Sequence, residues 1–188
     1  MKNFVIVADQ DRGKSFFVKN EILRKFQKNR RNFIFDVNFE YGSFKNLNKY
    51  LSRYEFLKNT PNEKNSNCNV VFEEATAFFS KSGNTSRDTV EHICRRFHSK
   101  NINVFVFHAL DQVPTDILYF IDFIVIFRTL DNPEKIQKTF AGYPKILEAF
   151  NDVRNKTANT YFNRDKKSYP DQHSKDFFHY KRVICKPY

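Results

Sequence analysis

Five continuous apolar runs, at residues 4–8, 33–37, 70–72, 102–107 and 123–127, set the limits on what this chain can fold into. A strand with one wet face alternates apolar and polar residues, whereas a strand covered on both faces by helices does not. The intervening segments carry helical periodicity. Residues 14–28 bring Phe17, Ile22, Leu23 and Phe26 to one side. Phe44, Leu47, Leu51, Tyr54 and Leu57 step by three or four, which predicts a second amphipathic helix. A third spans about 87–97 with Val90, Ile93, Cys94 and Phe97, and shorter helices follow Pro133 and cover 144–151. Strands alternating with helices need right-handed crossovers. The expected class is therefore α/β, a mainly parallel sheet of five strands or slightly more, flanked by helices.

At 188 residues the chain fits one domain, expected at 1–154. The hydrophobic period disappears from Asn155 onward, so 155–188 reads as a basic, aromatic C-terminal arm. Phe177, Phe178, Val183 and Ile184 favour partial docking of that arm over full mobility. Residues 59–69 and 81–86 read as loops. The formal charge of +11 points to a polyanionic partner, nucleic acid first, with a solvated lysine-rich surface as the alternative. Cys68, Cys94 and Cys185 are widely spaced and form no C-x-x-C pair, against a disulfide framework or a four-cysteine zinc site and in favour of a reducing cytoplasm. His92, Cys94 and His98 do not share one helical face. The N-terminal run is too short for a signal peptide. The apolar block 117–127 contains Asp122 and falls short of the ~20 residues that span a bilayer. No transmembrane segment is expected.

The chemistry starts directly after the first run. Ala8-Asp9-Gln10-Asp11-Arg12-Gly13-Lys14-Ser15 has the spacing of a phosphate-binding loop whose first glycine is alanine, set between a strand and a helix. Residues 9–16 (Asp9, Gln10, Asp11, Arg12, Gly13, Lys14, Ser15 and Phe16) would surround the phosphates of a nucleotide. Lys14 would reach the β- and γ-phosphates, and the Ser15 hydroxyl would ligate Mg²⁺. The run 70–72 ends in Glu73 and Glu74. Parallel sheets put ligands at the carboxyl ends of their strands, so Glu73 is placed to hold Mg²⁺ and Glu74 to orient the attacking water. An acidic pair opening a helix is the bland alternative. His108, ending the run 102–107, is placed to sense the γ-phosphate. Arg95 and Arg96 end the third helix, and one of them would stabilise phosphoryl-transfer charge in a neighbouring subunit. Arg128 competes for that role, and interaction with a helix dipole is the alternative reading for Arg95 and Arg96.

Taken in order, Gly13-Lys14-Ser15, Val70–Glu74, Arg95-Arg96-Phe97-His98, residues 102–108 leading into Val113-Pro114, and residues 122–128 resemble the FtsK–HerA superfamily of P-loop ATPases. The likeness spans roughly residues 3–140 and is nearest to small viral DNA-packaging ATPases, with Zot-like proteins second. Ala8, Glu73 and His108 depart from the family's usual Gly, Asp and Gln. The resemblance implies an ASCE-type fold with an extra strand between the Walker motifs, with ATP and Mg²⁺ as cofactors. It also implies a homo-oligomeric ring of five or six subunits that hydrolyses ATP to move nucleic acid, DNA rather than RNA. Capsid or virion membrane proteins are possible partners, and the implied setting is the host cytoplasm or the virion, without secretion. Three alternatives stay open: a Zot-like assembly or export ATPase, a small-molecule phosphotransferase, and a catalytically weak protein that binds nucleotide and nucleic acid.

Overall fold

Strand β1 (Lys2–Val7) leads into the glycine-containing loop, and α1 (Lys14–Phe17) continues without a break into a π-helical segment, Val18–Leu23. β2 (Arg31–Phe35), β3 (Leu47–Tyr50), α2 (Arg53–Asn59), β4 (Cys68–Phe72), β5 (Ile102–Phe107) and β6 (Phe123–Phe127) follow. Helices α3 (Pro133–Thr139) and α4 (Pro144–Lys156) precede the last strand, β7 (Tyr180–Ile184). The computed structural model describes residues 2–25, 30–42, 47–59, 67–79, 100–158 and 179–185. Phe26, Phe44, the expected 81–86 loop and 87–97 helix, and most of the C-terminal arm lie outside the described residues. So do His92, Cys94 and His98.

The seven strands form one sheet in the order β3-β2-β4-β5-β1-β6-β7. Every neighbouring pair is parallel except β6 and β7. β5 separates β1 from β4, so the extra strand stands between the two motif-bearing strands, as the ASCE expectation requires. The sheet exceeds the five expected runs by β3 and β7, one at each edge. Neither carries a continuous apolar run. Leu-Asn-Lys-Tyr and Tyr-Lys-Arg-Val-Ile are edge sequences, half exposed to water.

β3 also corrects the expected amphipathic helix over 44–57. Among the described residues, 47–50 are strand and only 53–59 are helical. Of the stripe that suggested a helix, Leu51 and Tyr54 are exposed while Leu57 packs partly against the core. The fully buried residue of α2 is Phe56, whose ring meets Phe35, Tyr50, Phe72 and Phe78 at 5.0–5.8 Å. Pairing of β3 with β2 and one deep aromatic contact outweigh a periodic stripe.

Burial on both faces explains the continuous runs. Val5, Val7, Phe33, Phe35, Phe72, Phe105, Phe107 and Ile126 point into one core beneath α2, α3 and α4. Phe4, Ile6, Ile34, Val71, Val104, Val106 and Val125 point into the other, covered by Phe17, Val18, Ile22 and Leu23. At the sheet's amino end, paired asparagines fix the register. Asn103 donates to Asn3 across β5–β1 (2.9 Å), and Asn69 donates to Asn32 across β4–β2 (2.8 Å), all four being buried. The opposite, carboxyl end is where the chemistry collects. Among the described residues, no helix is long and apolar enough to cross a membrane.

Candidate active site

The loop after β1 is anchored at its base to both neighbouring strands. The Ala8 N–H donates to Phe107 O (3.1 Å) and the Asp9 N–H to Arg128 O (2.9 Å). Ala8 is fully buried and does not adopt positive φ; that conformation falls on Asp11 (59°) and Gly13 (84°). Aspartate is among the few residues that enter the left-handed region readily. The glycine missing from position 8 is therefore not needed there for a left-handed turn. Gly13 is, because it sits immediately before α1 and its carbonyl accepts the Phe17 N–H at 2.8 Å.

Lys14 is buried, with 7% of its surface exposed, and its ammonium donates to Asp9 O (3.1 Å) and His108 Nδ1 (3.3 Å). An ammonium has only protons to give, so Nδ1 accepts and the ring proton sits on Nε2. From there it is donated to Glu74, with Nε2 at 3.0 and 3.1 Å from the two carboxylate oxygens. Asn38 Nδ2 donates to the same carboxylate at 3.0 Å. These donors, His108 first, hold the Glu74 carboxyl below its ordinary pKa despite partial burial.

Glu73 lives in a different environment. It is 2% exposed, accepts from Ser15 Oγ (3.1 Å) and also accepts from the Tyr41 hydroxyl. Burial pushes its pKa up to about 7, and nearby Glu40 adds to the rise, against the opposing Tyr41, Ser15 and Lys14. Burial and Glu73 likewise raise the Tyr41 phenol well above its usual value. Adjacent carboxyl groups are thus pushed in opposite directions, the buried one beside Ser15 upward and the one beside His108 downward, a pattern that separates their chemical roles.

The structure brings together Lys14, Ser15, Glu73, Glu74 and His108 from three adjacent strands. Asp9 and Gly13 line the loop; Gln10, Asp11 and Phe16 face solvent, while Arg12 turns inward. Arg128 is buried, with 4% of its surface exposed. Arg95 and Arg96 lie outside the described residues. Sequence reasoning missed the loop after β2, which supplies Asn38, Glu40 and Tyr41. Asp36 caps this turn, accepting from the N–H groups of Glu40 (2.8 Å) and Tyr41 (3.1 Å). Phe39 takes φ 57° within it. The available signal was a polar Asp-Val-Asn-Phe-Glu-Tyr stretch at the carboxyl end of a buried strand, where parallel sheets place ligands.

A second loop supports His108. Its N–H donates to Gln112 Oε1 (3.2 Å), and Asp131 accepts from the N–H groups of Leu110 (2.7 Å) and Asp111 (3.1 Å). The donors around Ser15 are hard oxygen atoms, suited to Mg²⁺. Among the described residues, no group of three His, Cys, Asp or Glu is arranged to hold a metal by itself. Burial raises the thiol pKa of both Cys68 and Cys185, that of Cys185 to about 11.

No protein-family model matches this sequence, and no curated protein matches it. Solved structures do. The genome packaging NTPase B204 of Sulfolobus turreted icosahedral virus 2, in complex with ATP-gammaS, superposes with a TM-score of 0.71 at 15% identity, over 98% of this chain and 92% of that one. The fold is that of a P-loop NTPase. The same viral NTPase in complex with AMPPCP gives a TM-score of 0.64 at 14% identity, over 79% and 87% of the two chains. The DNA-packaging ATPase B204 of Sulfolobus turreted icosahedral virus gives 0.65 at 17% identity, over 82% and 87%.

Proposed function

We propose that this chain is an ATP-hydrolysing nucleic-acid translocase of the viral genome-packaging kind, acting with Mg²⁺ in a ring of five or six subunits. The observation that carries the reading is the hydrogen-bonded line from Lys14 through His108 to Glu74, drawn across β1, β5 and β4. It joins the phosphate loop to a carboxylate through a residue able to feel what lies between them. The viral packaging NTPases that share the fold supply the substrate class and the link to DNA. The charge of +11 fits a polyanion.

In this reading the N–H groups opening α1 and the Lys14 ammonium bind the β- and γ-phosphates. Glu74, kept ionised by His108 and Asn38, orients a water and takes its proton as the oxygen attacks the γ-phosphorus. The bond from that phosphorus to the β–γ bridging oxygen breaks, leaving ADP and phosphate. Lys14 exchanges its His108 contact for the γ-phosphate, so His108, released at Nδ1, reports whether the phosphate is present. Ser15 and Glu73 would hold Mg²⁺, which supplies charge neutralisation on the β- and γ-phosphates. Arg95 or Arg96 completes the site of a neighbouring subunit. The working compartment is the host cytoplasm or the assembling virion.

The test is ATP hydrolysis by the purified chain with and without single- and double-stranded DNA. DNA-stimulated turnover should fall by at least about a hundredfold in Lys14→Ala and Glu74→Gln. Nucleotide binding without turnover under every DNA condition would instead leave a binding protein. Phosphoryl transfer to a nucleoside monophosphate would make it a kinase.

A further inference from the structure

Glu40 is the acidic residue of the site that the P-loop reading leaves without a role. Its carboxylate accepts from Ser15 Oγ, the same hydroxyl that lies 3.1 Å from Glu73. A serine hydroxyl has one proton, so it can satisfy only one of two carboxylates at a time. Glu73 has a second donor in Tyr41, whereas the contact to Ser15 is the one that draws Glu40 into the site. Two carboxyl groups therefore converge on one hydroxyl, which leaves a surplus of oxygen acceptors around Ser15.

The convergence is built into the backbone. Asp36, itself fully buried and 3.5 Å from the Lys49 ammonium, holds the N–H groups of Glu40 and Tyr41. Tyr41 is fully buried and packs beneath Lys19, whose ammonium lies 5.2 Å from the ring centre. Anchored on both sides, the Glu40 backbone stays beside Ser15, within reach of its own carboxylate. Glu40 is nevertheless solvent-exposed, on the open side where a triphosphate would arrive. A bare carboxylate there repels phosphate, so it hinders nucleotide binding unless a cation stands between them.

We infer that Glu40 is a third oxygen donor directed at the divalent cation of this site, serving it beside Ser15 and Glu73, directly or through the cation's water shell. The inference rests on the P-loop reading proposed above. It assigns the cation three protein oxygens drawn from α1, the β2 loop and β4, and makes the β2 loop part of the nucleotide site.

The consequence is a change of sign that simple folding support would not produce. Glu40→Gln removes a charge that opposes nucleotide without cation and favours it with cation. Equilibrium binding of a fluorescent non-hydrolysable ATP analogue should be measured in EDTA and in Mg²⁺ for the wild type, Glu40→Gln, Glu40→Asp and Lys14→Ala. Mn²⁺ affinity of each analogue complex would be read by electron paramagnetic resonance. Glu40→Gln should weaken Mn²⁺ binding and the Mg²⁺-dependent gain in nucleotide affinity by roughly tenfold or more, while affinity in EDTA is equal or higher. Glu40→Asp, a methylene shorter, should fall between. Equal loss in both buffers, or an unchanged Mn²⁺ affinity, overturns the role of Glu40 and leaves the P-loop reading standing. A wild type that binds no analogue in either buffer, indistinguishable from Lys14→Ala, overturns the P-loop reading and this inference with it.

Discussion

His108 works because its two ring nitrogens do opposite things. Nδ1 takes a proton from Lys14 and Nε2 gives one to Glu74, at 3.3 and 3.0 Å. A primary amide has the same pair of functions, an accepting oxygen and a donating nitrogen, held about as far apart as the ring nitrogens. His108→Gln should therefore keep ATP hydrolysis within a few-fold of the wild type. His108→Ala should lower it by about ten- to a hundredfold, as loss of an orienting partner commonly does, with a smaller change in nucleotide affinity. Steady-state hydrolysis and nucleotide titration on both variants separate the two effects. Residue types at strand ends made Lys14, Glu73, Glu74 and His108 legible in the sequence. Asn38, Glu40 and Tyr41 were not, because which side chain of a loop turns inward depends on the Asp36-capped turn and on the positive φ at Phe39, neither of which has a sequence signature. Ala8 departs from the usual glycine, yet the left-handed conformations of the loop sit further on, at Asp11 and Gly13.

The elements reveal where pattern reading stops. β1, β5 and β6 announce themselves because strands buried on both faces carry continuous apolar runs, broken in β1 and β5 only near their amino ends. Edge strands carry no such constraint, and β3 and β7 stayed hidden in polar or alternating sequence. β7 nonetheless ties the C-terminal segment to the nucleotide loop. Tyr180 stacks its ring against Phe127 of β6 at 5.0 Å and meets Phe17, at the end of α1, edge-on at 5.0 Å; Phe17 and Phe127 close the triangle at 5.7 Å. Each such pair contributes about 0.5–1.5 kcal/mol beyond area burial. Tyr180 is 40% exposed, so its removal forgoes only part of a full ring's burial. Tyr180→Ala should cost about 1–3 kcal/mol and lower Tm by several degrees, whereas Tyr180→Phe, which keeps the ring, should leave Tm within a degree or so. Because Phe17 lies one turn beyond the phosphate loop, Tyr180→Ala should also weaken nucleotide binding a few-fold. Thermal unfolding with and without an ATP analogue reads both effects.

Across the whole molecule, a two-faced aromatic core supports a surface whose charges do not balance. The core holds seven strands in register with buried asparagine pairs at one end of the sheet and the candidate site at the other. A formal charge of +11 on 188 residues repels itself, which opposes compactness, and at the same time attracts any polyanion. Salt should therefore act on folding and on binding with opposite signs. Screening weakens self-repulsion, because the Debye length shortens from about 10 Å at 0.1 M as salt rises. Raising salt from about 50 to about 200 mM should increase the Tm of the free protein slightly. Nucleic-acid affinity should fall steeply over the same range, by roughly five-hundredfold for a surface that neutralises about five phosphates. Added DNA should stabilise the protein at the lower salt and lose that effect at the higher. Thermal unfolding across a salt series, with and without a DNA oligonucleotide, tests both halves together. A Tm that falls with salt in the free protein would remove self-repulsion as the dominant surface force. DNA affinity indifferent to salt would detach the excess charge from nucleic-acid binding, and the basic surface would then be only a solvated exterior around a P-loop fold.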